Sequence, residues 1–286
     1  MITLKTDLLN FFARDGRQYV SVGHFGGEIV YPVRESEFIP RAEAVLMDLD
    51  GTTLDSEEFW IYIIERTVCE LLGDGKFTLS QGDIPYVSGY TTAEHLSYCI
   101  NRYCPEKQLS EAVKIYHKIA ERELHEIDCG RGNQSAFRPK PDLKEFLTEL
   151  KGHNIKIGLA TSGLDYKAIP EIKSVFRTLH MGDPLSFYDS VITGGRRKDA
   201  GEYGTIGEVA AKPHPFIYSE LAYMGLKIGE PSKVIGIEDS SAGVLALRLA
   251  GFAAIGLNTG NVAASGLKEL CRNTADCLTD TLKYIL

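Results

Sequence analysis

Two aspartates, Asp48 and Asp50, stand one residue apart where the apolar run of residues 44–49 meets Gly51. Side chains two residues apart on a strand point to the same side, so both carboxylates can converge at a strand end. Adjacent carboxylates repel each other, and a cation or a shared proton relieves the repulsion. A glycine lets the backbone turn closely around whatever is bound there. The stretch predicts a chemical site, with a solvated turn as the alternative.

A second strand-like run, residues 155–161, also ends in polar residues. Thr161 and Ser162 stand there beside Gly163, and their hydroxyls can donate hydrogen bonds to a phosphoryl oxygen. Either residue alone could equally be the N-cap of the following helix. The pair becomes informative only if it lies near other polar strand ends.

The run of residues 233–239 ends in Glu238 and Asp239, and Lys212 lies directly before Pro213 at a predicted helix start. Acid pairs are common in helix caps and a lysine is ordinarily a surface residue, so each feature alone is weak. Parallel sheets bind ligands at the carboxyl ends of their strands, where these groups would gather. Magnesium prefers carboxylate, water and phosphate oxygens. The combination predicts phosphoryl transfer with Mg²⁺ as cofactor.

Short apolar runs of strand length must position these residues, and helical segments separate most of them. Runs that are apolar on both faces and alternate with helices indicate a parallel sheet covered on both sides. We therefore predict an α/β fold in three layers, α/β/α. The predicted strands are residues 44–49, 155–161, 189–194, 233–239 and 253–257.

Residues 55–140 contain no comparable strand, and helical signals fill them. Asp55 with Glu58 resembles a capping box at the start of a first helix. A later helix has one apolar face, formed by Ala112, Val113, Tyr116, Ile119, Ala120, Leu124 and Ile127. We predict that residues 55–140 form a helical cap domain inserted above the strand ends.

The rest of the chain divides into a core and an arm. We predict that residues 41–54 and 141–286 form the catalytic core. Residues 1–40 are predicted as an amino-terminal arm, in which residues 19–31 have the pattern of a two-residue-loop hairpin, with an irregular arm as the alternative. Residues 196–208 form a glycine- and charge-rich loop after a strand.

The composition excludes several classes of partner. There are 31 lysines and arginines against 39 acids, giving a net charge of −8, and no long basic block, which argues against nucleic acid. The start lacks the order of a signal peptide, and no 18 apolar residues run together. The six cysteines are irregularly spaced, which favours reduced structural thiols. We expect a soluble cytoplasmic protein without a membrane partner, as a monomer with a dimer as the alternative.

Four segments resemble the four motifs of the haloacid dehalogenase superfamily, in their order and at roughly their separations. They read DLDGTTLDSE, LATSG, AKPHPFIY and IGIEDSSAGVLAL. The helical insertion directly after the first motif resembles the beta-phosphoglucomutase-like branch. The resemblance covers about residues 44–260 and implies a Rossmann-like core with a cap domain. Residues 1–40 and 196–208 are not explained by it.

The resemblance implies that Asp48 attacks phosphorus and becomes a transient aspartyl phosphate. It implies that Asp50 protonates the leaving oxygen and later activates water, which requires a raised pKa. The implied Mg²⁺ ligands are the Asp48 side chain, the Asp50 backbone carbonyl, Asp239 and, directly or through water, Glu238. The implied phosphate-binding residues are Gly51, Thr161, Ser162, Gly163 and Lys212, of which Thr161 would hydrogen-bond the transferring group and Lys212 would offset its charge.

Within the superfamily, the presence of Asp50 argues against a dehalogenase or a phosphonate-cleaving enzyme. Mutases of the beta-phosphoglucomutase type resemble this chain but carry a histidine and an arginine where it has Trp60 and Thr92. We therefore expect a phosphatase acting on a small phosphorylated metabolite, such as a sugar, polyol or nucleotide phosphate. The alternatives are a sugar-phosphate mutase and a non-catalytic binding or regulatory protein on the same fold.

Two further features have open interpretations. Trp60 either packs in the cap core or lines the substrate pocket. A run of three basic residues either is solvated or reaches an anionic substrate; it comprises Arg196, Arg197 and Lys198.

Overall fold

The computed structural model describes residues 5, 9–24, 27–87, 92–195 and 212–286. The predicted loop of residues 196–208, with its three basic residues, lies outside the described residues. The described strands are β1 Leu9–Arg14, β2 Arg17–His24, β3 Gly27–Pro32, β4 Ala44–Asp48, β5 Leu54–Asp55, β6 Arg138–Pro139, β7 Lys156–Ala160, β8 Ser190–Ile192, β9 Val234–Glu238, β10 Ala253–Leu257 and β11 Asn273–Ala275.

The helices divide into a group between β5 and β6 and a group that follows β6. The described helices are α1 Glu57–Leu72, α2 Ile84–Val87, α3 Thr92–Tyr103, α4 Leu109–Asp128, α5 Leu143–Gly152, α6 Asp165–Leu179, α7 Pro184–Phe187, α8 Phe216–Ser219, α9 Ser241–Ala250 and α10 Leu282–Ile285. A π-helical segment, Glu220–Gly225, continues α8.

Six strands form one sheet in the order β11-β10-β9-β4-β7-β8, and each neighbouring pair is parallel. Each of the five predicted runs contains one of these strands, and the prediction of an α/β fold with a parallel sheet is confirmed. The short β11 was not predicted. β4 lies between β9 and β7, so the carboxyl ends of these three strands meet at one edge of the sheet.

Helices cover both faces of the sheet, and β4 shows how the sequence builds the layers. Val45 and Met47 join one buried cluster, which includes apolar residues of α5 and α6. Ala44 and Leu46 join a second buried cluster, which includes apolar residues of α8 and α9. This alternation follows from the two-residue period of a strand. The core therefore holds β4 rigidly, and the end of β4 is a fixed position.

The helices α1 to α4 lie between the two strands of a short antiparallel ladder, where β5 pairs with β6. The predicted apolar face of α4 is confirmed, because its residues are buried except Val113, which is partly buried. The predicted capping box of Asp55 with Glu58 is wrong. α1 begins at Glu57, and Asp55 lies in the ladder and accepts a hydrogen bond from Lys140 Nζ at 2.7 Å.

Near the amino terminus, β1, β2 and β3 form an antiparallel sheet, so the chain there contains one strand more than the hairpin of residues 19–31. Phe11, Val20 and Val22 pack into the second buried cluster of the core. The six cysteines are free thiols, as expected. Among the described residues, we find no helix with the length and apolar character needed to span a bilayer.

Candidate active site

Lys212 connects the ends of three adjacent strands. Its Nζ donates to Asp48, the last residue of β4, and to Glu238 Oε1, at the end of β9, over 2.7 Å. The same nitrogen donates to the carbonyl oxygen of Ala160, at the end of β7, over 3.3 Å. Desolvation favours loss of the Lys212 proton, but Asp48 and Glu238 outweigh this effect and raise the Lys212 pKa. A permanent positive charge is thus fixed at the sheet edge.

Glu238 is fully buried and receives three donors besides its backbone neighbours. Lys212 and the hydroxyl of Tyr218 donate to Oε1, and Ser240 Oγ donates to Oε2 over 3.0 Å. A β-carbon on Gly243 would stand 1.8 Å from Glu238 Oε1, so α9 can begin beside the carboxylate only with glycine there. Tyr218 was not predicted; its phenol inside an apolar helical stretch was the available signal.

Asp239 follows β9 directly and faces the loop after β4. Thr52 Oγ1 donates to Asp239 Oδ1 over 3.3 Å. Gly51 adopts a φ of 83°, and a β-carbon there would stand 2.1 Å from Asp239 Oδ2. The expected close backbone approach at Gly51 is therefore an approach to a carboxylate of the site.

Asp48, Glu238 and Asp239 each offer an oxygen, and the three oxygens lie within 4.8 Å of one another. Desolvation and the charge of Glu238 raise the pKa of Asp48, while Lys212 opposes this. Desolvation and Glu238 also raise the pKa of Asp239, to about 7. These three carboxylates share the single ammonium of Lys212, so the set has an excess of negative charge, and its oxygen donors suit a divalent cation such as Mg²⁺. The residues therefore fit the expected metal.

Asp50 lies two residues after Asp48. Part of the residue is exposed to solvent, while its carboxyl group is surrounded by protein atoms. Desolvation raises the pKa of its carboxyl, and a hydrogen bond donated by Ser56 Oγ opposes the rise. Thr161, at the end of β7, is also near enough to lower the pKa of Asp50. Ser56 was not predicted, since its position directly before α1 indicates only a cap. Its hydroxyl instead orients Asp50.

The predicted phosphate-binding loop lies beside Lys212. Thr161 Oγ1 accepts a hydrogen bond from the Gly163 N–H over 2.9 Å, and Ser162 Oγ accepts one from the Lys212 N–H over 3.2 Å. The N-cap of α6 is Leu164, so neither hydroxyl caps that helix. The structure brings all the predicted site residues to one edge of the sheet. Contact of this loop with phosphate stays a prediction.

A second polar group adjoins Asp50 and was not predicted as a site. Trp60 Nε1 donates to Glu171 Oε1 over 3.0 Å, and Lys167 Nζ lies 4.3 Å from the centre of the Trp60 ring. Lys167 and Glu171 lie four residues apart on α6, and Trp60 lies on α1. The tryptophan is partly buried and packs against Phe59 and Tyr116, and contact of its ring with a substrate stays a prediction.

Comparison with known proteins agrees with this geometry. The haloacid dehalogenase-like hydrolase family matches residues 42–251. A phosphorylated carbohydrates phosphatase of Thermotoga maritima is 26% identical over 216 residues, 73% of this chain and 82% of that protein. A beta-phosphoglucomutase of Bacillus subtilis is 25% identical over 252 residues, 84% of this chain and 93% of that protein.

Solved structures share the fold. CbbY from Rhodobacter sphaeroides in complex with phosphate has a TM-score of 0.60 at 18% identity, covering 84% of this chain and 96% of that one. Beta-phosphoglucomutase from Clostridium difficile has a TM-score of 0.58 at 22% identity, covering 84% of this chain and 92% of that one. With the family match and the polar strand ends described above, these likenesses lead to one conclusion: this chain belongs to the haloacid dehalogenase-like hydrolases.

Proposed function

We propose that this hydrolase is a phosphatase that removes the phosphoryl group of a small phosphorylated metabolite, such as a sugar, polyol or nucleotide phosphate. One observation carries the proposal. Lys212 holds Asp48 and Glu238 together beside Asp239, and Asp50 lies two residues after Asp48, where its charge acts on Asp48. A nucleophile, a fixed cation and a proton donor are thus present together in this proposal.

Asp48 is the nucleophile in this proposal. Its carboxylate oxygen attacks phosphorus, the bond from phosphorus to the leaving oxygen breaks, and an aspartyl phosphate forms. A bound Mg²⁺ would neutralise charge on the transferring group, and Asp48, Asp239, Glu238 and the Asp50 backbone carbonyl would hold it. Lys212 neutralises further charge, a preorganised contribution that is usually the largest in catalysis.

Asp50 is the proton donor. Desolvation raises the pKa of its carboxyl group and so favours the protonated form, and in this proposal that proton passes to the leaving oxygen. The Asp50 carboxylate then takes a proton from water, and the water oxygen attacks phosphorus. The bond from phosphorus to the Asp48 oxygen breaks, which releases inorganic phosphate and restores the Asp48 carboxylate. Ser56 fixes the Asp50 carboxyl through its hydroxyl, so the proton is delivered from one defined position.

The residues that hold the transferring group come from two loops. Thr161, Ser162 and Gly163 follow β7, and Gly51 follows β4. The helices α1 to α4 act as a cap in this proposal, since Tyr116 of α4 contacts Lys167 of α6 beside the site. A closed cap excludes water during the first step and shapes the leaving-group pocket.

A colorimetric screen for phosphate release tests the proposal, using Mg²⁺ and a panel of sugar, polyol and nucleotide phosphates. We expect release from some members of the panel and none from Asp48→Asn. A non-catalytic binding protein would release none from any substrate and would be unaffected by Asp48→Asn. A mutase would instead give isomerised sugar phosphate that depends on a bisphosphate activator. Either result would overturn the phosphatase.

A further inference from the structure

Five residues from four helices form a polar cluster around the Lys167 ammonium, which we name the Lys167 cluster. Lys167 Nζ lies 4.3 Å from the ring centre of Trp60 and 4.7 Å from that of Tyr116. The same nitrogen donates to Tyr116 Oη over 3.0 Å and to Thr92 Oγ1 over 3.4 Å. Glu171, whose Oε1 accepts the Trp60 N–H, is the fifth residue of the Lys167 cluster.

The Lys167 ammonium contacts only neutral oxygens and ring faces within the described residues. No described carboxylate lies within 4.0 Å of its Nζ. Glu171 is on the same helix, but its Oε1 receives the Trp60 N–H. Lys212, by contrast, pairs with both Asp48 and Glu238. Lys167 is therefore the cation of this region that has lost water without gaining a described counter-ion.

This arrangement shifts the pKa values of both charged groups of the Lys167 cluster. Desolvation lowers the pKa of Lys167 to about 8, although Glu171 and Asp50 oppose the fall. Desolvation raises the pKa of the buried Glu171. A partly buried charge without a partner is unfavourable, and an anion brought by a ligand would remove that cost. Titratable groups with perturbed pKa values are frequent at functional sites.

The Lys167 cluster is connected to Asp50 through α1. Lys167 and Asp50 also act electrostatically on each other's pKa. Trp60 belongs to the first turn of α1, directly after Ser56, and Ser56 donates to Asp50. In the proposed reaction, Asp50 protonates the leaving oxygen. The group attached to that oxygen would therefore lie next to the Lys167 cluster.

We propose that Lys167 binds an anionic group, a carboxylate or a second phosphate, carried by the leaving group of the substrate. This inference rests on the proposed phosphatase function. The partly exposed ring of Trp60 covers the carbon chain between the two charged ends, and the hydroxyls of Thr92 and Tyr116 fix the direction of the ammonium. The substrate is recognised at both ends: the transferring phosphoryl group beside Asp48, and the second anion at Lys167.

Matched substrate pairs test this assignment. In the first pair, glycerol 3-phosphate has a hydroxymethyl group where 3-phosphoglycerate has a carboxylate. In the second pair, fructose 1,6-bisphosphate has one phosphate more than fructose 1-phosphate. We expect kcat/KM to favour the charged member of one pair by about 10- to 100-fold, the usual range for a hydrogen bond to a charged group. The pair that shows the preference identifies carboxylate or phosphate as the second anion.

Variants at two positions of α6 separate binding from general damage. We expect Lys167→Gln to abolish the preference, mainly by raising KM for the charged member, and Lys167→Arg to restore part of it. Lys173→Gln is the matched control, since Lys173 lies on the same helix beside a different cleft, and it should keep the preference. Turnover of the uncharged member reports whether each variant is folded.

Two results would overturn the assignment. One is equal turnover of the charged and uncharged members by the wild type; the other is an equal loss on both members in Lys167→Gln. Failure of the proposed function looks different, because then no ester of either kind would release phosphate. Phosphate release without a preference for the charged substrate would support the phosphatase function and contradict only the role of Lys167.

Discussion

Gly51 and Asp239 approach each other so closely that no side chain fits between them. A β-carbon on Gly51 would stand 2.1 Å from Asp239 Oδ2, and Gly51 also has a φ of 83°. The turn after β4 therefore sets the position of a carboxylate that follows β9. The distance between the ends of β4 and β9 therefore depends on the absence of a side chain at Gly51.

Gly51→Ala should lower kcat/KM by about 10² or more, because a displacement of about 1 Å in a catalytic group has effects of that size. Asp239 must move, so the Mg²⁺ concentration needed for half activity should rise as well. Gly73→Ala is the matched control: Gly73 has a φ of 68° but nothing within 4 Å of a β-carbon. It carries the same kind of backbone strain without the collision. Equal losses of activity in the two variants would show that strain alone is responsible.

Activity should vanish in EDTA and return with Mg²⁺. Asp239→Asn should raise the Mg²⁺ concentration for half activity by about tenfold or more, since the variant removes a charged oxygen from the carboxylate set. Asp276→Asn, which changes an exposed carboxylate hydrogen-bonded to Asn258, should leave the Mg²⁺ dependence as in the wild type. Phosphate release that is indifferent to chelation would remove the metal from the mechanism.

The segment of helices α1 to α4 contains a buried charge of its own. Asp83 has a fully buried side chain that accepts hydrogen bonds from Ser80 Oγ over 2.5 Å, Tyr98 Oη over 2.6 Å and Tyr103 Oη over 2.5 Å, and it pairs with Arg102. Desolvation pushes the pKa of Asp83 upward, but the hydrogen bonds from Ser80 and the tyrosines outweigh it and lower the pKa. The ionised carboxylate therefore stabilises the fold of the segment that contains α1 to α4.

Because folding lowers the pKa of Asp83, the free energy of unfolding depends on pH. The contribution of Asp83 is present above its unfolded pKa of about 3.9 and is lost as the pH falls through the lower folded pKa. Asp83→Asn should reduce the free energy of unfolding by about 1–3 kcal/mol near pH 7, and the gap to the wild type should shrink below about pH 4. Urea unfolding at both pH values measures the gap. Asp74→Asn, at an exposed turn, is the control; a gap independent of pH would contradict the account.

We expect the Lys167 ammonium to lower the free energy of unfolding of the unliganded protein, because desolvation lowers its pKa. Lys167→Met keeps the length of the side chain and removes the desolvated charge, so it should raise the free energy of unfolding by about 1 kcal/mol. The cost of the charge is full below the folded Lys167 pKa of about 8 and is relieved as the pH rises to the unfolded value of about 10.4. The stabilising effect of methionine should therefore fade over that interval in thermal melts. A destabilised Lys167→Met near pH 7 would refute the idea of an uncompensated ammonium.

The strand ends were predictable from the sequence because parallel strands place their carboxyl ends at one edge of a sheet. This rule brings together Asp48, Thr161 and Glu238 without knowledge of any contact. Lys212 was identified by its place before a predicted helix and by the family resemblance, not by periodicity. Its contacts with three strand ends required the structure.

Contacts between distant segments could not be predicted in the same way. Trp60 meets Glu171, 111 positions later in the chain, and no spacing rule encodes that meeting. Tyr218 and Ser56 were missed because each looks like an ordinary helical or capping residue until its partner is known. The capping role expected for Asp55 failed because Lys140, 85 positions away, takes its carboxylate.

The central claim is that Asp48 becomes phosphorylated during turnover. Acid quenching in the steady state, followed by peptide mass spectrometry, measures this directly. We expect one phosphoryl group on the peptide containing Asp48, removable by hydroxylamine, and none in Asp48→Asn, which is nearly isosteric and should fold normally. Rapid phosphate release by the wild type with no labelled peptide, together with substantial activity in Asp48→Asn, would contradict the account.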